Sequence, residues 1–248
     1  MTAKHHKQLW VQGGPFRLRL RSFVSESISK GPRLAVVIHG DVPFNEPDYH
    51  NLFAAKVAAS HRDVVAIGLL RPGYTDPQGN TSDGERGESV GDNWNLTNTK
   101  AVAEAISRLD RIWNARKVVV AAHSGGAALA ANVLGLYPDL IDHALLVSAV
   151  FDVGKWREYM FKRTGEPMFE GKIETVSPIE QITGMSDHVE VTLMVGTEDE
   201  VAPPCFSEQY ETEARKHGKR VRLVRLPGEG HEIFLRQAVF AKLQLFLA

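Results

Sequence analysis

Short apolar runs recur along the chain at residues 34–38 (LAVVI), 64–70 (VVAIGLL), 118–122 (VVVAA), 144–148 (ALLVS), 191–195 (VTLMV) and 221–226 (VRLVRL). The first five are mostly apolar at successive positions, which predicts parallel strands covered on both faces. The last alternates, which predicts a place at a sheet edge. Ahead of them, 16–21 (FRLRLR) alternates strictly and predicts a half-exposed strand, antiparallel to a neighbour near residues 9–11. Between the runs the spacing turns helical over 47–61, 93–114, 125–136, 205–217 and 232–246. In the longest of these, Ala101, Ala105, Ile106, Leu109 and Ile112 recur three or four residues apart. Strands alternating with helices predict an α/β fold: a mostly parallel central sheet with helices on both faces.

Two stretches exceed a simple connection. Residues 72–92 are rich in Gly, Asp, Glu and Thr, where strand-to-helix loops normally take ~2–6 residues. Such a loop is functional or disordered. Residues 151–185 carry Trp156, Tyr159, Met160, Phe161, Met168 and Phe169 among scattered charges, which reads as a small cap insertion. No repeat, low-complexity tract or linker divides the chain, so one domain over 1–248 is expected.

Composition narrows the partners. The chain has 248 residues, 43% of them apolar, enough for a large core. Its 29 basic and 30 acidic residues leave a net charge of −1, which argues against a nucleic-acid partner and against a polybasic membrane anchor. One cysteine, Cys205, excludes an internal disulfide and a Cys-rich zinc site. The N-terminus has no apolar signal region, and no window approaches the ~20 apolar residues of a membrane span. A cytoplasmic location is the expectation, with the oligomeric state left open.

The strongest chemical signal is the segment AHSGGA at 122–127, which follows an apolar run and opens a helix of small residues. A serine on so sharp a strand-to-helix turn, here Ser124, is presented at the end of the sheet with small neighbours. A serine hydroxyl needs a base, and on this arrangement the acid and the histidine follow in chain order. Asp199, in GTEDEVAP after the fifth run, and His231, in GEGHE after the sixth, take those places. Asp152, after the fourth run, is an alternative acid. An oxyanion hole needs two N–H donors. Gly125 supplies one, and the loop HGD at 39–41 supplies the other through Asp41, or through Val42. An aspartate side chain beside a developing negative charge must point away or be neutralised. His39 itself reads as a structural histidine.

These motifs resemble the α/β-hydrolase fold family, especially its small bacterial esterases. The resemblance rests on His39-Gly40, on Arg71-Pro72-Gly73-Tyr74, on His123-Ser124-Gly125-Gly126, on Gly196 to Pro203, and on Gly230-His231. It covers nearly the whole chain. Ala122 departs from the glycine usual before the nucleophile's neighbour, but it is small enough for the turn to close. The resemblance implies a serine hydrolase that cleaves carboxylic esters through an acyl-enzyme, with a small-molecule ester as substrate and no metal or organic cofactor.

Tyr74, Trp156 and Met160 are the expected substrate-contacting residues, although aromatic stripes serve packing equally well. Arg71, Asp76, Asp83, Glu85, Arg86 and Glu88 are further candidates from the long loop, where a solvated surface is the commoner reason for charge. Two other readings use the same motifs: a peptidase or amidase like the prolyl oligopeptidase relatives, and a ligand receptor that retains the triad. The peptidase relatives usually carry an extra gating domain, for which this length leaves no room.

Overall fold

Every apolar run is a strand of one sheet. The computed structural model describes residues 4–6, 9–42 and 46–248. β1 (Lys4–His6), β2 (Trp10–Gly13) and β3 (Phe16–Val24) come first. The six runs then form β4 (Arg33–Ile38), β5 (Val64–Leu69), β6 (Lys117–His123), β7 (His143–Val147), β8 (Glu190–Gly196) and β9 (Arg220–Leu226). Their order is β1-β3-β5-β4-β6-β7-β8-β9, with β2 paired to β3. β4 to β9 are parallel to one another, and β3 is antiparallel to β1, β2 and β5. The alternating β9 lies at an edge, where only one side of its ladder is paired.

Among the described residues there are six α-helices: α1 (Tyr49–Ser60), α2 (Leu96–Trp113), α3 (Ser124–Leu136), α5 (Pro204–Lys216) and α6 (Gln237–Phe246) pack on the sheet, and α4 (Val153–Thr164) lies beyond its carboxyl edge. Side chains alternate across a strand, so each central strand feeds two cores. Val36, Ile38, Val120 and Leu146 pack with Ile106 and Leu109 of α2, Ala127 and Val133 of α3, and Tyr210 of α5. Val37, Val119, Ala121 and Val147 pack with Phe53 and Val57 of α1 and Phe240 and Leu243 of α6. That division explains why the runs are continuously apolar.

The structure corrects two expectations and narrows a third. β3 is not half-exposed. Leu18 and Leu20 are buried, and so is Arg19, whose Nε lies 2.9 Å from Asp76 Oδ2. The strand runs on to Val24 and sits between β1 and β5, with the 72–92 loop supplying the carboxylate. The helix expected over 232–246 starts only at Gln237. Residues 232–236 are a turn, in which Ile233 N–H donates to His231 O. The 72–92 loop is ordered from within. Thr75 bridges Thr81, Asp76 accepts the N–H groups of Gln78 and Asn80, and Ser82 Oγ donates to Leu70 O.

Connectivity fixes where a site can lie. From β4 the chain crosses to β5 on one side, then returns to β6 on the other. The loops after β4 and β6 therefore face each other at the carboxyl ends of the strands, the crevice where open α/β sheets bind ligands.

Candidate active site

The loop after β6 turns into α3 at Ser124, whose φ is +50°. A non-glycine residue in that region costs on the order of 1 kcal/mol or more and persists only where its surroundings impose it. Here the surroundings are tight. A Cβ on Gly126 would lie 2.1 Å from His39 O, and one on Gly40 would lie 2.9 Å from Ser124 Cβ. Ala122, where the resembled family has glycine, is fully buried and fits. The small residues around the serine let α3 start directly against the end of β4.

The three predicted catalytic side chains meet. His231 Nε2 lies 3.1 Å from Ser124 Oγ. His231 Nδ1 lies 3.0 and 2.9 Å from the two carboxylate oxygens of Asp199. Asp199 is held in turn by the N–H groups of Val201 and Ala202, at 3.0 and 2.8 Å from Oδ1. With the carboxylate on Nδ1, the proton of a neutral imidazole sits there and Nε2 faces the serine as acceptor. Asp152, the alternative acid, stands elsewhere. It caps α4 by accepting Lys155 N–H at 3.1 Å and pairs with Lys155 Nζ.

A hydrogen-bonded chain beneath the serine was not legible in the sequence. His123 Nε2–H donates to His231 O, leaving Nδ1 to accept from Tyr49 O–H at 2.9 Å. The Tyr49 oxygen accepts Gly40 N–H in turn. Burial, with the neighbouring His231 next in effect, lowers the His123 pKa to about 3. Its ring is therefore neutral and its tautomer set. Ser148 Oγ also donates to His231 O, at 3.0 Å. The base thus has its backbone fixed by two side chains and its ring by a third. Tyr49 carried no motif, and His123 entered only as the serine's neighbour, because their hydrogen bond joins residues 74 positions apart.

The Asp41 side chain is neutralised. Its Oδ1 accepts from Arg71 Nη1 at 2.9 Å and from Tyr74 O–H at 2.6 Å. Arg71 is fully buried, and its other arm donates to Asn93 Oδ1 at 2.6 Å. Burial opposes the Arg71 charge, but Asp41, Tyr74 and Tyr49 together outweigh it and raise the Arg71 pKa. His39, the expected structural histidine, donates from Nδ1 to Gly40 O and accepts Arg71 N–H at Nε2. The loop after β4 is thereby tied to the end of β5. Gly125 N–H lies in the first turn of α3, where no intrahelical acceptor exists. The N–H groups of Asp41 and Val42 donate no hydrogen bond to the described residues.

A cavity of about 260 Å³ opens onto the serine. Asp41, Val42, Tyr49, His123, Ser124 and His231 form its floor side, and Val90, Trp94, Trp156, Met160, Met168 and Phe169 are its apolar walls. Trp156 and Met160 thus stand where substrate contact was expected. Trp156 Nε1 is already taken by Val201 O. Tyr74 differs from the expectation. Its hydroxyl is committed to Asp41, and its ring lines a separate space of about 80 Å³ with Arg86 and Glu88. Of the other loop charges, Asp76 pairs with Arg19 and Asp83 accepts Arg17 N–H. Larger clefts, of about 470 and 370 Å³, lie elsewhere, and neither is lined by a histidine.

Comparison with known proteins follows this geometry. The family model of the prolyl oligopeptidase family matches residues 76–248, which include Ser124, Asp199 and His231. The chain belongs to the prolyl oligopeptidase family. This is a serine hydrolase family within the α/β-hydrolase fold, and it is the family weighed above as the alternative to the small esterases. Among solved structures, the chain is similar over its whole length to the Pyrococcus horikoshii acylaminoacyl peptidase, with a TM-score of 0.73 and 14% identity. It spans only 41% of that chain. It is similar over 99% of its length to a Pyrococcus furiosus esterase, of which it covers 90%, with a TM-score of 0.72 and 13% identity. It is also similar to Est1E of Butyrivibrio proteoclasticus, solved with ferulic acid bound, at 0.71 and 14%, over 97% of this chain and 99% of that one. At these identities the likeness is one of fold. No curated protein sequence matches the chain. Among the described residues no helix is long and apolar enough to cross a membrane.

Proposed function

We propose that the chain hydrolyses carboxylic esters through an acyl-enzyme on Ser124. The observation that carries this is the relay from Asp199 through His231 to Ser124 Oγ, with both links at hydrogen-bond distance and an apolar cavity above. Ser124 Oγ attacks the ester carbonyl while His231 Nε2 takes its proton, and Asp199 stabilises the imidazolium. The tetrahedral oxyanion is received by the N–H groups of Gly125 and Asp41. His231 then gives the proton to the departing alkoxide oxygen, and the acyl group stays on Ser124. A water molecule, deprotonated by His231, attacks that acyl carbon and releases the acid. The stretch 151–185 acts as the cap, with Trp156 and Met160 against the acyl group.

Labelling with a fluorophosphonate tests the nucleophile and the oxyanion hole together. Ser124→Ala is expected to abolish the label and to lower kcat on nitrophenyl esters by about 10⁴- to 10⁶-fold. An unlabelled native chain would instead support the triad-retaining receptor. Family membership supports a second reading, cleavage of amides by the same groups. Nitrophenyl esters and nitroanilides of one acyl group separate the two. Anilide turnover at a kcat/KM equal to that of the ester would favour the peptidase.

A further inference from the structure

Most polar side-chain atoms that line the serine cavity already have partners: Tyr49 with Gly40 and His123, Trp156 with Val201, and Asp41 Oδ1 with Arg71 and Tyr74. Two unpartnered groups lie together. Trp94 is 1% exposed, yet its Nε1–H has no hydrogen-bond partner. Asp41 Oδ2 accepts no hydrogen bond from the described residues. Both sit over the Cα of Gly125, the residue after the nucleophile. A Cβ built there would lie 2.1 Å from Asp41 Oδ2 and 2.6 Å from Trp94 Nε1. The glycine leaves room for a buried donor and a carboxylate acceptor side by side at the start of α3. A buried donor left without a partner costs about 1–3 kcal/mol, and buried polar groups in native proteins are nearly always satisfied by protein, water or ligand.

We propose that Trp94 Nε1–H and Asp41 Oδ2 together bind a hydroxyl group on the acyl part of the substrate, so that the preferred substrates are short hydroxyacyl esters. A hydroxyl is the small group that satisfies both partners. Its oxygen accepts from the indole N–H, and its hydrogen is donated to the carboxylate. The oxyanion fits less well at this point, because it would sit beside Asp41 Oδ2. An ammonium group has no acceptor for the indole. The pair adjoins Gly125, the residue after the acyl-bearing serine, so the hydroxyl belongs near the ester carbonyl, and the third acyl carbon is the position tested. The walls that follow, Trp156 with its ring centre 5.4 Å from that of Trp94 and tilted to it, and Met160 beyond, are apolar and suit the rest of a short chain.

This inference rests on the ester-hydrolase reading, and the experiment separates the two. Nitrophenyl butyrate, 3-hydroxybutyrate and 3-methoxybutyrate are compared by kcat/KM, each divided by its rate of hydrolysis by hydroxide. The native enzyme is expected to prefer the hydroxy ester over the alkyl ester by roughly 10-fold, the order of one buried hydrogen bond. It should also prefer it over the methoxy ester, which accepts from Trp94 but offers Asp41 nothing. Trp94→Phe keeps an aromatic ring and removes the N–H, and it should abolish the preference while butyrate is still turned over. Equal rates on all three esters in the native enzyme would overturn the proposal without any variant and leave the hydrolase reading standing. An undiminished preference in Trp94→Phe would overturn it too. So would an equal fall of kcat on every ester at unchanged KM, since the indole would then be serving the oxyanion. No turnover of any ester, with no fluorophosphonate label, would remove the hydrolase reading and this inference with it.

Discussion

Asp41 is an awkward residue for an oxyanion loop until its surroundings are known. Arg71 and Tyr74 turn its charge into part of a buried polar hub, and the backbone N–H stays free for other use. Asp199 and Asp152 show the same dependence on context. Both follow a parallel strand, and both accept backbone N–H groups, but only Asp199 reaches His231. Asp199→Asn is therefore expected to lower kcat by about 10⁴-fold, as for a triad acid whose loss allows the wrong tautomer. Asp152→Asn should leave kcat nearly unchanged, because asparagine caps a helix about as well as aspartate. Steady-state kinetics on one ester with both purified variants decides the ranking, and the reverse order would move the acid to the end of β7. Ser124, Asp199 and His231, which the structure joins by hydrogen bonds, were legible because each stands next to a strand signal. Tyr49 and His123 were not, because hydrogen bonds between distant segments leave no local pattern.

At the scale of elements, α3 and the cap stretch decide what fits. α3 begins at the nucleophile because Gly125, Gly126 and Ala127 let it close on β4. The cap stretch holds α4, a helix absent from the sequence reading, where aromatic and charged residues hid a weak amphipathic pattern. α4 sets Trp156 and Met160 against Trp94, Phe169 and Phe206 as one apolar cluster over the serine. The half-open space of about 260 Å³ is below the usual ~300–1,000 Å³ of ligand pockets. An acyl chain that outgrows it lies in water and loses the ~0.8 kcal/mol that each buried methylene contributes. The kcat/KM of nitrophenyl esters is thus expected to fall beyond about six to eight acyl carbons. A series from acetate to palmitate measures it, and a steady rise to palmitate would mean that the cap opens into a long groove.

Over the whole molecule, buried histidines link stability to acid. His39, His50 and His123 are buried, and burial is the first cause of lowered pKa in all three. His50 and His123 are lowered to about 3, and His39 lies well below its ordinary 6.5. A group with a depressed folded pKa binds fewer protons folded than unfolded between the two values, so stability falls as pH falls. Full stability is expected above about pH 6.5. Below it, His50 and His123 each remove up to about 1 kcal/mol per pH unit toward pH 3, and His39 adds to the loss in the same direction. Urea midpoints at pH 7.5, 6.0 and 5.0 test this, and a flat series would show that these histidines become protonated inside the fold. These three rings tie α1, β4 and β6 together, so their titration is felt where the sheet carries the site.

What the sequence determined by itself was set by local rules. Continuous apolar runs on either side of helical spacing required a parallel sheet covered on both faces. A serine between a strand and a helix of small residues required an exposed nucleophile, with acid and base at later strand ends. What only the tertiary structure decided was everything that depends on two distant segments meeting. Arg19 lies in an alternating strand and would face water, had the 72–92 loop not brought Asp76 to it. Tyr74 would face substrate, had β4 not presented Asp41. Trp94 would be an ordinary core residue, had Gly125 not left its indole N–H beside the nucleophile. The physical reason is common to all three. Hydrophobic periodicity fixes which face of an element is buried, whereas a buried polar group is settled by whichever partner the folded chain brings within hydrogen-bond reach.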